Sequence, residues 1–469
     1  MKFNYWRNIY FFATAFFIVG CQSYESKPID IGLYHNSLKT RIVDIEPVSA
    51  FADRISFAGG IPSKFDVYDG ISPAEGEVIA LFYNPELRIA RLEAGVSLAD
   101  FKTAGLWEDP VFGFNGAEIS SPSAPFKFGI IGKLTIPVSG RLKAKKSLAG
   151  STYEAKIRSL VNAEWNMRSA IRSQWASWTV ASLRVEMIND VIDQLEQINT
   201  LANALYEAGE VNKVEYRLLQ VELATNKVLS TEIELQRMQE EMTLLALLGL
   251  PPEGAGLLLP ELPEIPITIV DDETVRLIDA NTELAIRFAR YQTAEETLRL
   301  EIKKQYPDIV IGSGYASEFN NHQVLFSLSV PLSIWNRNQA GIAKARTTRE
   351  VARAEAETTF FRLFRELTLA NATLLIKKTQ HAYFKEEIVP MLAEQTSDVR
   401  KIAALGEVDT FILLETVTRQ FDAKQQLLEL TLAEFDAAIT IYKILGPEFQ
   451  LNPTPANREI QTDTLESTP

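Results

Sequence analysis

The sequence predicts a mainly helical protein with a small β contribution, built from long antiparallel helices and made of two copies of one unit. Residues 138–250 contain no proline and have helical character on both sides of Gly209, where the chain is expected to reverse. Several short motifs recur at a spacing of 197 positions (406 − 209). Two segments with alternating apolar and polar residues each precede a long helix.

The repeat is visible at four places along the chain. The corresponding pairs are Gly209 and Gly406, Asn84 and Asn281, Pro110 and Pro307, and Gly249 and Gly446. Because these landmarks share one offset, the sequence indicates an internal duplication of a unit of about 180 residues.

The N-terminal 20 residues are typical of a signal peptide. Lys2 and Arg7 form a short basic region, and the apolar run that follows is too short to span a membrane as a mature helix. The run ends in a sequence similar to a bacterial lipobox, so Cys21 is predicted to become the lipid-carrying N-terminus. The alternative is a lone buried cysteine. Gln22 favours the outer membrane, by resemblance to Gram-negative sorting signals.

Charge and composition exclude several function classes. The formal net charge is −14, and it becomes −16 when Lys2 and Arg7 are removed with the signal peptide, so no nucleic acid partner is expected. No later apolar run is long enough for a transmembrane helix, and a membrane crossing would require strands. The three histidines are far apart, and no metal-site spacing, phosphate loop or catalytic motif is present. Neither a cofactor, a metal site nor an enzymatic activity is therefore predicted.

The sequence divides into six predicted parts, whose boundaries follow composition, prolines and the repeat. They are a signal peptide (1–20), a lipidated lead segment without clear periodicity (21–71), a first repeat (72–250, strands about 109–137), a proline-rich connector (251–270), a second repeat (271–446, strands about 308–334) and a polar tail expected to be disordered (447–469).

Helix signals define most of each repeat. Ser72-Pro73-Ala74-Glu75 has the pattern of a capping box, and a second helix is expected from Asn84 to about Ala104. A helix from about Ala144 to Glu207 would be about 95 Å long. Its return partner carries a heptad stripe that predicts a coiled-coil seam, with ordinary core packing as the alternative. The stripe consists of Val221, Val228, Leu235 and Met242. Pro390 is expected to kink the corresponding helix of the second repeat.

The alternating segments predict strands with one apolar and one polar face. Phe128 and Leu328 are assigned to the apolar face, and Lys133 and Ser327 to the other. In the second repeat, a loop is predicted over 316–323 and a strand over 324–334. Strands of about 9–11 residues fit a tilted membrane crossing, although an ordinary soluble hairpin has the same pattern.

The two glycine turns are predicted to form the tips of the long helices, farthest from the strands. The candidate tip residues are Tyr206, Gly209 and Asn212 in the first repeat, and Gly406 and Asp409 in the second. Asn212 and Asp409 are interpreted as helix N-caps, and Glu215 as the capping-box partner of Asn212. Acidic residues on the approach to the second tip could form a ring in a lumen or lie on a solvated outer face. These are Glu386, Glu387 and Asp398.

These features together resemble the TolC-type outer-membrane factor family over residues 72–446. The segments 306–309 and 330–339 are similar to its cation-efflux branch, the Czc and Cus type. The resemblance implies a homotrimer with a twelve-stranded outer-membrane barrel, a periplasmic helical tunnel, and tips that dock a periplasmic adaptor protein of an inner-membrane pump. Ala403 stands where the second tip would carry the counterpart of Tyr206, so the tips differ. Independently, a four-stranded sheet leaves two unpaired edges, and three copies would close it.

The predicted function is therefore the outer-membrane exit duct of a tripartite efflux system, which the resemblance assigns to the RND type, with heavy-metal cations as one candidate substrate. Alternatives are a drug-efflux or type I secretion channel, or a lipid-anchored coiled-coil tether without a pore. The expected location is the outer membrane of a Gram-negative bacterium, with a lipid anchor and a body that extends into the periplasm.

Overall fold

The computed structural model describes residues 23–41, 46–56, 65–66, 69–117, 127–265, 272–318, 321–332, 334–404 and 410–447. The chain forms two units, Met1–Ile45 and Glu46–Pro469. The first unit contains helix α1 (Ile31–Thr40), which begins where the Asp30 carboxylate accepts a hydrogen bond from the backbone N–H of Leu33 at 3.0 Å. No residue of α1 is buried. The sequence did not predict this helix, because the segment has no clear apolar period.

The second unit consists of helices and one sheet. Its helices are α2 (Glu46–Ser56), α3 (Pro73–Tyr83), α4 (Pro85–Thr103), α5 (Arg141–Ala208), α6 (Lys213–Leu248), α7 (Glu273–Ala280), α8 (Thr282–Lys303), α9 (Gln339–Tyr383), α10 (Val389–Ala404) and α11 (Thr410–Leu445). Its strands are β1 (Val111–Ala117), β2 (Lys127–Ile136), β3 (Ile309–Glu318) and β4 (Asn321–Ser329). Within the described residues, no helix combines the length and the apolar character needed to cross a membrane.

Capping residues set the helix starts that the sequence predicted. Ser72 accepts from the backbone N–H of Glu75, and the Glu75 carboxylate accepts from the backbone N–H of Ser72 at 3.0 Å, so the predicted capping box is present. Asn84 separates α3 from α4, with its side chain accepting from the N–H groups of Glu86 and Leu87. Helix α4 ends at Thr103, as expected.

The core follows the long helices. Helix α5 has 68 residues, which corresponds to about 100 Å at a rise of about 1.5 Å per residue. Near its middle, Trp175 is fully buried. Farther toward its C-terminus, a buried cluster joins α5, α6 and α11 and includes Ile188, Leu219 and Phe421. A separate cluster joins α7, α8, α9 and α11, so α11 contributes to both.

The prediction that the heptad stripe of α6 packs against another helix of the same chain is wrong. Val221, Val228 and Leu235 are each more than half exposed. The buried positions of α6 instead include Leu219 and Asn226. Asn226 is accommodated because its amide donates to the backbone carbonyl of Glu222 at 3.0 Å. Apolarity alone selected the wrong face of α6, because the buried face contains polar residues with satisfied hydrogen bonds.

The helix of the second repeat is interrupted next to Pro390, as predicted. Helix α9 ends at Tyr383, a π-helical turn covers Phe384–Ile388, and α10 begins at Val389. Proline lacks an N–H, so residue 390 cannot donate the hydrogen bond that a continuous α-helix requires. The π turn is the local rearrangement that precedes this position.

The sheet has the order β1-β2-β3-β4, and each neighbouring pair is antiparallel. Its register is fixed by pairs such as Phe114 with Ile130 and Ile131 with Gly314. The loop predicted over 316–323 is shorter than expected, because β3 continues to Glu318 and β4 already begins at Asn321. The last strand ends at Ser329 rather than near residue 334. Pro331 follows two residues later and cannot donate to a ladder.

Candidate functional site

The strand register gives the sheet one continuous apolar face, here called the outer face. Cross-strand partners point to the same side of a sheet, so the pairing assigns these residues directly. The outer face comprises Phe112, Phe114, Phe128, Ile130, Leu134, Ile136, Ile309, Ile311, Tyr315, Val324, Phe326 and Leu328, with Gly116, Gly132, Ser313, Ser317 and His322 among them. Phe326 is 84% exposed and Phe112 is 78% exposed in the single chain. The face is therefore a large apolar surface that no other described segment of the chain covers.

The opposite face, here called the inner face, has smaller and more polar residues. It carries Asn115, Lys127, Lys133, Thr135, Glu318, Asn321, Gln323, Ser327 and Ser329, four glycines (Gly113, Gly129, Gly312 and Gly314), two alanines (Ala117 and Ala316), and the apolar residues Val111, Ile131, Val310 and Leu325. Phe128 and Leu328 thus share one face, and Lys133 and Ser327 share the other, which confirms the predicted alternation. A Cβ at Gly314 would lie 2.6 Å from the backbone oxygen of Ile130, so this position requires glycine.

Ion pairs fix the first junction between strand and helix. The Arg141 guanidinium, at the start of α5, donates to the Glu108 carboxylate at 2.7 Å and also contacts Asp308. The Ser139 hydroxyl donates to Asp308 at 2.8 Å. Asp308 directly precedes β3, so this cluster joins the two halves of the chain at one end of the sheet.

The second junction is built around Glu301, near the end of α8. Lys304 Nζ lies 2.5 Å from one carboxylate oxygen of Glu301, and the Asn338 amide donates to the other at 2.6 Å. These hydrogen bonds, first that from Lys304 and then that from Asn338, lower the pKa of Glu301. Asn338 itself has a left-handed backbone, with φ 52°. The interaction ties the start of α9 to the end of α8.

The first tip is the reversal between α5 and α6, and it has the predicted geometry. Gly209 has φ 83°, in the left-handed region. The backbone N–H of Glu210 donates to the carbonyl of Leu205 at 2.9 Å, which closes the end of α5. The Asn212 side chain accepts from the N–H groups of Val214 and Glu215. Glu215 accepts from the side-chain amide of Asn212 at 2.6 Å, which differs in detail from the expected capping box.

Two tyrosines flank the first tip. The rings of Tyr206 and Tyr216 stack with centroids 5.4 Å apart and an interplanar angle of 13°. Sequence reasoning selected Tyr206 but missed Tyr216. The signal was available, because two tyrosines ten positions apart on either side of a glycine turn come together when the helices reverse.

The acidic candidate residues do not form one cluster in the single chain. Glu386 and Glu387 lie on the π turn, and both are exposed. Asp398, on α10, pairs with Lys401 at 2.9 Å, and both side chains are exposed. The predicted tip residues Gly406 and Asp409, and the lipidation candidate Cys21, lie outside the described residues. Across the described part of the chain, no group of three or more potential metal-ligating side chains comes together.

Sequence reasoning also missed contacts that tie the long helices together. Near the end of α9, His381 Nδ1 lies 2.9 Å from the Glu434 carboxylate on α11. Deep in the unit, Glu77 of α3 is buried and accepts from Arg168 at 2.8 Å and from Arg172, both on α5. Each of these contacts joins segments that are far apart in the chain. No pattern of closely spaced residues in the sequence could therefore reveal them.

Comparison with known proteins agrees with this architecture. Residues 276–447 match the family model described as outer membrane efflux protein. The cobalt-zinc-cadmium resistance protein CzcC of Cupriavidus metallidurans is 22% identical over 316 residues, which cover 67% of this chain and 75% of CzcC. The Campylobacter jejuni CmeC outer membrane channel matches with a TM-score of 0.70 and 12% identity, over 95% of this chain and 97% of CmeC. CusC matches with a TM-score of 0.67 and 16% identity, over 82% of this chain and 96% of CusC.

Proteins of the matched family are channels rather than enzymes, in agreement with the activity class expected from the sequence. The sheet with one apolar face, the very long helices and the glycine turn are the elements on which the resemblance was based. The chain is therefore a relative of the outer membrane efflux proteins: residues 276–447 carry that family's sequence pattern, and the described residues have the fold of its channels.

Proposed function

We propose that this chain is one subunit of a homotrimeric exit duct in the outer membrane of a Gram-negative bacterium. The observation that carries the proposal is the two-faced sheet attached to long helices, of which α5 is about 100 Å long. Its outer face is apolar and exposed, as a surface that contacts lipid must be, while its inner face is small and polar, as a water-filled lumen requires.

The edges of the sheet support a closed trimer. In the order β1-β2-β3-β4, the first and last strands each have a neighbour on one side. Open strand edges are unfavourable in hydrocarbon, and three chains of four strands close into a twelve-stranded barrel. The two halves of the chain arose by duplication of one unit, a proposal supported by matched side-chain contacts of Asn84 and Asn281 at the two helix ends.

The helical tips are proposed as the docking surface for a periplasmic adaptor protein that connects the duct to an inner-membrane pump of the RND type. Tyr206, Gly209 and Asn212 form the first tip, and Gly406 and Asp409 are assigned to the second. Hairpins of this kind offer grooves in which a partner's helices can pack. The duct itself is passive, and the pump supplies the energy.

Heavy-metal cations are proposed as the substrate class. The support is the similarity to CzcC, whose name describes resistance to cobalt, zinc and cadmium. Deletion of the gene should sensitise the cell to such cations. Sensitivity to detergents and dyes without sensitivity to metals would assign the chain to drug efflux, and loss of a secreted protein would assign it to type I secretion.

Single-channel recording tests the duct directly. Purified trimers inserted in planar lipid bilayers should produce discrete conductance steps. A lipid-anchored tether without a pore would bind the bilayer but carry no current. As a control, Phe128→Arg protein, which should not insert its sheet, is expected to give no steps at the same protein concentration.

A further inference from the structure

Lys133 is one of two lysines on the inner face of the sheet, and the other, Lys127, lies six residues away at the start of β2. Lys133 lies three residues before the end of β2, which places it about 10 Å from that end along the strand. Its side chain is exposed and makes no hydrogen bond or ion pair with any of the residues that the structure describes. A charge placed in this way acts on whatever passes the inner face.

The neighbours of Lys133 leave this charge uncompensated. The register places Val111 and Gly312 directly opposite it on β1 and β3. Along β2, Ile131 and Thr135 are the next residues on the same face. None of these four is acidic. No carboxylate is therefore adjacent to the ammonium group within the described part of the sheet, and the nearby Asp109 lies before β1 rather than within the sheet.

The absence of a side chain at Gly312 leaves space for the side chain of Lys133. A Cβ added at Gly312 would lie 3.5 Å from Lys133 Cγ and would also press on the Ser327 hydroxyl. Without a side chain at this position, the Lys133 stem can lie across β3, with its charged end free to extend away from the sheet. The lack of a side chain at Gly312 thus leaves space beside Lys133 on the inner face.

We propose that Lys133 sets the ion selectivity of the duct, and this inference rests on the proposed function. In a closed trimer, three copies form a ring of ammonium groups near the periplasmic end of the barrel. Rings of charged side chains select permeant ions by sign, and a low-dielectric wall strengthens the effect. The barrel therefore favours anions over small cations, although the chain has a net charge of −14. A cationic cargo would cross this level accompanied by anions.

The experiment measures reversal potentials of reconstituted trimers under a potassium chloride gradient. The wild type should show a higher chloride-to-potassium permeability ratio than Lys133→Gln, and Lys133→Gln a higher ratio than Lys133→Glu. The differences should shrink from about 0.1 M to about 1 M salt, because the screening length falls from about 10 Å to about 3 Å. Equal ratios in the three proteins would overturn the inference and leave the duct intact.

Thiol chemistry after assembly separates selectivity from folding. The chain has one natural cysteine, Cys21, which is kept because the predicted lipid occupies its thiol. In this protein, Lys133→Cys trimers should regain anion preference with a cationic thiosulfonate and lose it further with an anionic one. Phe128→Cys, on the same strand but on the outer face, is the matched control and should not respond. An unchanged ratio in modified Lys133→Cys channels would overturn the inference, whereas wild-type trimers that carry no current would overturn the proposed duct and the inference with it.

Discussion

The amide of Asn84 donates a hydrogen bond to the backbone carbonyl of Leu247 at 2.9 Å, across 163 residues of sequence. The other end of the same side chain caps α4. Asn281 repeats both interactions, donating to Ile444 at 2.7 Å across the same separation of 163 residues and capping α8. Each asparagine thus holds the start of one helix against the end of a long return helix.

Asn84→Asp should separate these two roles. Aspartate keeps the acceptor that caps α4 but has no amide to donate to Leu247, whose carbonyl is then left without this partner. We expect a loss of about 1–3 kcal/mol in the free energy of unfolding, because an unpaired acceptor that is partly buried retains a desolvation cost. Asn84→Ala should cost more, since the cap is lost as well.

Thermal and urea unfolding, followed by circular dichroism, would measure the effect. Asn281→Asp provides an independent replicate at the second site. If Asn84→Asp were as stable as the wild type, the bond to Leu247 would contribute nothing and only the cap would matter.

Gly209→Val should preserve outer-membrane insertion but abolish efflux and cross-linking to the adaptor. The φ of 83° at Gly209 is strained for a β-branched residue, so the tip should distort at a cost of about 1 kcal/mol or more. Gly209→Asn should retain activity, because asparagine tolerates the left-handed conformation. Gly406→Val tests the second tip. Normal transport by the double valine variant would rule out the tips as the docking surface.

Arginine at Phe128 or Leu328 should impair membrane assembly. Both residues lie on the outer face, where a charge facing lipid costs about 2–4 kcal/mol at the membrane midplane. Arginine at Ser327 or Lys133 should be tolerated, since these positions lie on the inner face. The measurement is the fraction of heat-resistant trimer in outer-membrane preparations. Similar yields from all four variants would contradict the assignment of faces.

The Glu301 carboxylate should contribute a pH-dependent part of stability. Its pKa is lowered by hydrogen bonds from Lys304 and Asn338. A group whose pKa is lower in the folded state stabilises the fold above its ordinary pKa, near pH 4.3, and this contribution disappears as the pH falls through the lowered value.

Melting temperatures measured between pH 7 and pH 3 should therefore fall more steeply for the wild type than for Glu301→Gln. The difference should be small, because solvent screens much of the interaction at this partly exposed junction. Parallel curves for the two proteins would show that Glu301 is protonated equally in the folded and unfolded states.

Cys21→Ser should give an unprocessed or soluble precursor. The sequence before Cys21 is similar to a lipobox, and the thiol is the attachment point that serine cannot replace. Metabolic labelling with a radioactive fatty acid, followed by membrane fractionation, provides the measurement. Efficient labelling of the serine variant would place the lipid elsewhere.

The sequence predicted the fold most accurately where local chemistry decides it. Ser72, Asn84 and Asn212 start helices because their side chains satisfy free N–H groups close by in sequence, and Gly209 ends α5 for a comparably local reason. Alternation along β2 likewise placed Phe128 and Lys133 on opposite faces, because the pleat has a period of two.

The errors arose where distant contacts decide the structure. The exposed stripe of α6 resembles a core, but packing against α5 determines which face of α6 is buried, and that face includes Asn226. The partners of Asn84, Glu77 and His381 also lie too far along the chain for any spacing rule. Within the candidate site, the sequence predicted the turn at the first tip but not the stacking of Tyr216 on Tyr206.

The number of residues in the π turn at Phe384–Ile388 determines which side chains of α10 face α11. A π turn contains one residue more than an α turn, so it rotates everything after it by about 100° relative to an uninterrupted helix. With the π turn in place, Thr396 of α10 is buried. Loss of a single residue from the turn would bring a different line of side chains toward α11, without any substitution along α10. Insertions and deletions at this turn can therefore alter the approach to the second tip more than point changes can.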